Sequence, residues 1–129
     1  MNYQYIGKST PVNNSRAKAS GLLRYAGDMQ LPNMLHMKLV LSPVAHGIVK
    51  AIDSSAALAM PGVAAVLSFE NTVDTKYNRG RVRISEDVMD QETLFSRHVR
   101  FVGDRVAAVL ADSPEIAAAA AEKIKLEIE

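Results

Sequence analysis

Three histidines, His36, His46 and His98, are the residues best suited to hold a metal ion or to move a proton. Two imidazoles presented by one helix would lie three or four residues apart, whereas these are separated by ten and by fifty-two residues. The spacing favours histidines that face solvent or make a local hydrogen bond, and it predicts no metal site. His46 is the least ordinary of them, because it directly follows an interruption between two strands.

Other catalytic groups also lack a recognisable arrangement. No serine lies in a nucleophile elbow, and neither the dinucleotide nor the Walker glycine pattern occurs. Cysteine is absent, which excludes disulfides, a thiolate nucleophile and an iron–sulfur cluster of the usual ligation. The sequence therefore predicts no catalytic, cofactor-binding or metal-binding residue in this chain.

A basic segment is the one feature that hints at nucleic acid. It runs from Lys76 to Arg83 and contains four cations around Tyr77, followed by four acidic residues up to Glu92. The charges cancel over a short distance, and the net charge of the chain is only +1. The pattern favours a long polar loop with one edge strand at 81–84. The alternative is a nucleic-acid patch, whose binding would weaken steeply with salt.

Hydropathy predicts a protein of the cytosol. The first ten residues contain no apolar core of the kind that a signal peptide needs. The longest apolar run, 56–67, is broken by Pro61-Gly62 and is shorter than the roughly 20 residues that span a bilayer. We therefore expect no membrane partner.

The elements that must position these residues centre on 34–53. Leu35, Met37, Leu39 and Leu41 recur at every second position, which predicts a strand with these side chains on one buried face. Ser42-Pro43 interrupts the run, and a second strand follows over 48–52. Asp53 or Ser54 is then placed to cap a helix.

The remaining elements follow in order along the chain. Residues 1–21 are polar and are expected to be extended, and 22–28 has the pattern of a short strand. A helix is predicted over 54–60, closed by Pro61-Gly62, and a second helix from Glu115 to Lys123 behind an N-cap at Ser113. Further strands are expected at 63–69, 99–102, 106–111 and 125–129. Short strands with two helices give an α+β domain of mixed order.

The order of short motifs adds a resemblance to a known family. The chain resembles the α/β hammerhead domain that opens the molybdenum-binding subunit of xanthine dehydrogenases, aldehyde oxidases and related hydroxylases. The motifs that carry it are Ile6-Gly7-Lys8, Tyr25-Ala26-Gly27-Asp28, Leu31-Pro32, Met34-Leu35-His36, Ser42-Pro43, Ala45-His46, Ile52-Asp53, Pro61-Gly62-Val63, Val66-Leu67, Val99-Arg100-Phe101-Val102-Gly103, Val106-Ala107-Ala108-Val109 and Ala111-Asp112.

The resemblance implies that 1–129 is a single hammerhead domain, the N-terminal fragment of a longer oxidoreductase subunit. Such an enzyme hydroxylates a purine or an aldehyde with oxygen from water. Molybdopterin would be held by downstream domains of the same chain. Iron–sulfur clusters, and FAD as a further option, would belong to partner domains or subunits. The domain itself would be structural, and Ser42, Pro43 and His46 are its candidate inter-domain contacts.

Two departures from the family pattern bear on the substrate, and one alternative function stays open. Asn14 stands where an aspartate is usual, and Val44 stands where the corner usually has a histidine. Residues 71–92 match nothing in the pattern. The alternative is a free-standing binding or assembly module that shares the fold.

Overall fold

The computed structural model describes residues 3–77 and 92–129. The chain divides into two compact units, 1–32 and 33–129. Among the described residues, no helix has both the length and the apolarity needed to cross a bilayer.

The first unit contains a short helix that the sequence interpretation missed. Residues 1–21 were expected to be extended, but α1 spans Ser15–Ala19. The N–H of Gly21 donates to Lys18 O and that of Leu22 to Ala17 O, at 3.2 and 2.9 Å. This pair of bonds is the Schellman closure of a helix. The sequence Ser-Arg-Ala-Lys-Ala before a glycine contained the signal, because most of its residues are good helix formers.

The strand predicted at 22–28 is also wrong. A single 3₁₀ turn, Ala26–Asp28, occupies the end of that segment. The N–H of Tyr25 donates to Asp28 Oδ2 at 2.9 Å, and the N–H of Asp28 donates to Tyr25 O at 3.0 Å. An aspartate that bonds nearby backbone in this way competes with a strand ladder.

The second unit contains all the strands of the described chain. They are β1 His36–Leu41, β2 Gly47–Asp53, β3 Val63–Ser68, β4 His98–Val99, β5 Arg105–Ala111 and β6 Lys125–Ile128. Its helices are α2 Ser55–Leu58 and α3 Pro114–Ala121. One antiparallel sheet has the order β1-β5-β3, and the other has the order β4-β2-β6. The predicted α+β fold is confirmed, with α1 as a helix beyond the two expected.

The main core lies between the first sheet and the helices. Strand β5 is central, as its continuous apolar run predicts, and α3 packs on the face formed by Val40, Val66, Ala107 and Val109. Ala57 of α2 and Ala120 of α3 are fully buried there. Alanines allow the helices to approach the sheet closely, because their side chains end at Cβ.

The buried face of β1 is opposite to the predicted one. Val40 is buried, whereas Met37 and Leu41 are 60% and 49% exposed. The strand lies where it was predicted and the period of two holds up to Val40, where the register with β5 shifts, but the helices cover the side that carries Val40. The apolar side chains at alternate positions are therefore left at the surface of this chain.

The second sheet packs through its central strand, β2. Val49 is fully buried with Val99 and Val106. The register of β2 against β6 shifts between Val49 and Ala51. The sequence predicts Val49 and Ile52 on opposite faces. This prediction is wrong, because the bulge shifts the alternation and places both residues on the same face of the strand. Ile52 contacts both apolar clusters.

Both helices of the second unit begin at side chains that the sequence identifies. The carboxylate of Asp53 accepts from the Ser55 hydroxyl and N–H at 2.6 and 3.1 Å, and these bonds, the hydroxyl first, lower its pKa from 3.8. The hydroxyl of Ser113 accepts the N–H of Ile116 at 3.2 Å and caps α3 as predicted. The pKa of Glu115 is also lowered, first by its own backbone N–H and then by Ser113.

Candidate functional site

The corner between β1 and β2 is held from inside by Ser42. This residue is buried, and its hydroxyl donates to Val44 O at 2.9 Å while accepting the Val44 N–H at 3.1 Å. Its backbone N–H donates to Asp104 O at 2.8 Å, and its carbonyl accepts the Gly103 N–H at 2.9 Å. Pro43 and His46 lie exposed on the outside of the same corner.

Asp104 organises the turn that faces this corner. Its side chain is almost fully buried, at 5% exposure. The carboxylate accepts the Ser96 hydroxyl at 2.9 Å, the Arg105 N–H at 2.9 Å and the Arg100 N–H at 3.2 Å. Through these three hydrogen bonds Asp104 links the segment before β4 to the start of β5.

His46 lies against His98, although fifty-two residues separate them. Their Nε2 atoms are 2.9 Å apart, and the rings meet edge to face with centroids 4.8 Å apart. Both side chains are exposed. The prediction that these histidines make local contacts or face solvent missed this pairing. His36 lies on β1 and takes no part in the contact between the His46 and His98 rings.

The face of the first sheet that the helices do not cover is apolar and partly exposed. We call this surface the apolar sheet face. The pairing register places Met37 and Ala65 opposite Leu110, and Leu39 and Leu67 opposite Ala108. Directly opposed residues of antiparallel strands share a face. The apolar sheet face is formed by Met37, Leu39, Ala65, Leu67 and Leu110.

A cavity of about 490 Å³ lies beside β4 and the start of β5. Arg105 lines the cavity, and its Nη2 atom lies 2.9 Å from the Tyr77 hydroxyl and 3.3 Å from Glu92 Oε2. The guanidinium of Arg97 lies 5.7 Å from the centre of the Phe69 ring. Arg105 and Arg97 are thus engaged with acidic, hydroxyl or aromatic partners of the same chain.

The other sequence candidates are distributed as follows. Ser42, Pro43 and His46 lie together in the corner, and their contact with another domain stays a prediction. Lys76 is exposed, but Arg79, Arg81 and Arg83 and the edge strand expected at 81–84 lie outside the described residues. The sequence interpretation overlooked Asp104. Its available signal was an aspartate after a glycine, just before the apolar run 106–111.

No metal cluster of three or more His, Cys, Asp or Glu side chains occurs in the described ranges 3–77 and 92–129. Within the same ranges, every buried side-chain nitrogen or oxygen has a hydrogen-bond partner. The polar groups of this part of the chain satisfy one another.

Known proteins resemble this chain in sequence over most of its length. The model of the aldehyde oxidase and xanthine dehydrogenase a/b hammerhead domain matches residues 20–129. The carbon monoxide dehydrogenase large chain of Hydrogenophaga pseudoflava is 43% identical over 103 residues, which are 80% of this chain and 12% of that protein. This chain therefore spans a small part of the length of that relative.

Solved structures agree with the sequence match. Quinoline 2-oxidoreductase of Pseudomonas putida superposes with a TM-score of 0.83 at 33% identity, covering 95% of this chain and 16% of that one. The aldehyde oxidoreductase of Desulfovibrio desulfuricans gives a TM-score of 0.84 at 32% identity, with 95% and 14% covered. The chain belongs to the aldehyde oxidase and xanthine dehydrogenase family and carries its α/β hammerhead domain.

Proposed function

We propose that this chain is the structural hammerhead domain, at the N-terminal end, of a larger molybdopterin-dependent hydroxylase subunit. The parent enzyme would hydroxylate a purine or an aldehyde with oxygen taken from water. The domain supplies no catalytic residue and acts by packing against the domains that do. The apolar sheet face is the observation that carries this proposal.

Two properties of the apolar sheet face support the proposal that another domain covers it. Its side chains repeat with the period of a buried strand face, yet Met37 is 60% exposed in this chain. A large apolar side chain exposed among half-buried ones is typical of a surface that another domain covers. The family relatives are much longer than this chain. We therefore assign the face to downstream molybdopterin-binding domains of the same subunit.

The cofactors of the parent enzyme belong elsewhere in this proposal. The domain itself would hold no molybdopterin, and the pairing of its buried polar side-chain atoms within the described residues supports this. Molybdopterin would be bound by the downstream domains. Iron–sulfur clusters, with FAD as a further option, would be carried by partner domains or subunits. The cytoplasm is the compartment that we propose for the enzyme.

The corner would form a second part of the inter-domain contact. Pro43 and His46 are exposed there, whereas the Ser42 hydroxyl is occupied within the corner. We therefore assign the direct contact with the neighbouring domain to Pro43 and His46. Ser42 would act indirectly, by fixing the backbone of the corner.

A lysine substitution in the intact subunit tests the proposal. Met37→Lys would place an ammonium group in a dry interface, and we expect it to destabilise the holoenzyme by about 2–3 kcal/mol. Leu58→Lys is the matched control, because Leu58 is 50% exposed and lies on α2, away from the apolar sheet face. Denaturant unfolding and the molybdenum content of the purified subunit are the measurements.

Equal stability and equal molybdenum content in the two variants would contradict the docking role. If the natural protein also proves to contain this domain alone, the free-standing binding or assembly module becomes the better account. Methionine oxidation gives a check that needs no substitution. Met37 should be protected from peroxide in the holoenzyme, although its side chain is exposed in this chain.

A further inference from the structure

The His46–His98 pair is built by the strand register. In the pairing of β2 with β4, Ile48 lies opposite His98 and Gly47 lies opposite Val99. His46 directly precedes β2 and lies two residues before Ile48, the partner of His98. The pair is thus specified by backbone hydrogen bonding as well as by the contact of the rings.

Buried neighbours fix the backbone beneath both rings. Val99 follows His98 and is fully buried, and Val49 anchors β2 in the same apolar cluster. The N–H of Val49 donates to Arg97 O at 2.8 Å, directly before His98. The backbone beneath both rings is therefore held in place.

The distance between the two nitrogens suits a shared metal ion. A hydrogen bond between two Nε2 atoms requires that one donates and the other accepts. If each ring instead carries its proton on Nδ1, both Nε2 lone pairs become available. With metal–nitrogen bonds of about 2.0 Å, nitrogens 2.9 Å apart subtend an angle of about 90° at the metal. Adjacent ligands of tetragonal Cu²⁺ and octahedral Ni²⁺ meet at that angle.

We propose that His46 and His98 form a chelating site for a divalent transition-metal ion of the Cu²⁺ or Ni²⁺ type. Water completes the coordination, since both rings face solvent. The neighbouring cation does not occupy the site, because the Arg97 guanidinium lies over the Phe69 ring. The site does not involve the apolar sheet face, but it shares His46 with the corner contact proposed above, so it requires that this ring stays open to solvent in the intact subunit.

Titration of the purified protein with Cu²⁺ and with Ni²⁺ alone tests this site, at a pH above about 7 where imidazole is neutral. We expect one equivalent of metal to bind. His46→Ala and His98→Ala should each weaken binding at least about tenfold, because each leaves a single imidazole. His36→Ala is the matched control and should bind as the natural protein does.

Two further measurements distinguish the loss of a metal ligand from the loss of the fold. His98→Gln keeps a hydrogen-bonding side chain beside His46, so it should fold normally and still lose the metal. The electron paramagnetic resonance spectrum of the Cu²⁺ complex should show two nitrogen ligands, and one in either single variant. Unchanged binding in the double variant His46→Ala/His98→Ala, or equal loss in His36→Ala, would overturn the assignment.

Discussion

The backbone N–H of Ser42 donates to the carbonyl of Asp104 at 2.8 Å, although the two residues lie in different loops. This bond joins the corner after β1 to the turn before β5. Ser42 also accepts the N–H of Gly103 at 2.9 Å, so the two loops are linked in both directions. The position of the exposed His46 therefore depends on a turn sixty residues away in sequence.

Removal of the Asp104 carboxylate should destabilise this junction strongly. Asp104→Ala leaves the Ser96 hydroxyl and the N–H groups of Arg100 and Arg105 without their acceptor. Loss of several charged hydrogen bonds at a buried position predicts a decrease of about 3 kcal/mol in the free energy of unfolding. Urea denaturation measures it. The exposed Asp112→Ala is the control, and similar losses in both variants would refute the role of Asp104.

The two helix caps should respond differently to the same substitution. Ser113→Ala removes the acceptor of the Ile116 N–H and should cost about 1 kcal/mol of stability. Ser54 occupies the N-cap of α2, but its side chain makes no cap hydrogen bond. Ser54→Ala should therefore change stability by a few tenths of a kcal/mol at most. A larger loss in Ser54→Ala than in Ser113→Ala would show that the caps are wrongly assigned.

The stability of the start of α2 should depend on pH through Asp53. Its pKa is lowered below 3.8 in the folded chain, chiefly by the Ser55 hydroxyl. A lowered pKa stabilises the folded state above the unfolded value, and this contribution is lost as the pH falls through the folded value. The NMR titration of Asp53 should thus have its midpoint below 3.8.

Ser55→Ala provides the test of that cause. It removes the stronger donor but keeps the backbone N–H, so the Asp53 midpoint should rise toward 3.8 without changing the fold. A midpoint that stays where it is in the natural chain would assign the lowered pKa to another group.

Gly62 should tolerate a side chain less well than Gly103. Both have positive φ, at +83° and +90°. A Cβ on Gly62 would lie 2.9 Å from Ile116 Cδ1, whereas nothing lies within 4 Å at Gly103. Gly103→Ala should cost about 1–2 kcal/mol from backbone strain alone. Gly62→Ala should cost more, and thermal unfolding of the two variants measures the difference.

Local sequence patterns predicted most elements of the second unit. The alternation of apolar residues in strands, the helix N-caps and the Pro-Gly end of a helix each depend on only a few neighbouring residues. They placed β1, the corner, β5 and the Ser113 cap correctly. They could not say which side of β1 is buried within this chain, since that depends on where α3 packs. The face chosen from Met37 and Leu41 is the one that this chain leaves exposed.

Long-range pairing explains the features that sequence reading missed. Nothing near His46 in sequence indicates that His98 will lie 2.9 Å away, because the register of β2 with β4 creates that contact. The bulge in β2 likewise depends on β6, which forms near the end of the chain. Asp104 acquires its role only when its three donors converge.

The central position of β5 has a consequence for synthesis on the ribosome. Both β1 and β3 pair with β5, and His36 pairs with Ala111. Neither earlier strand can complete its ladder until β5 has left the exit tunnel. During that interval the apolar strands β1 and β3 lack the strand that pairs with both of them. Contacts between residues so distant in sequence also form slowly. The growing chain is therefore most prone to aggregation until β5 has emerged from the tunnel, and this is the stage at which a nascent-chain chaperone would help it most.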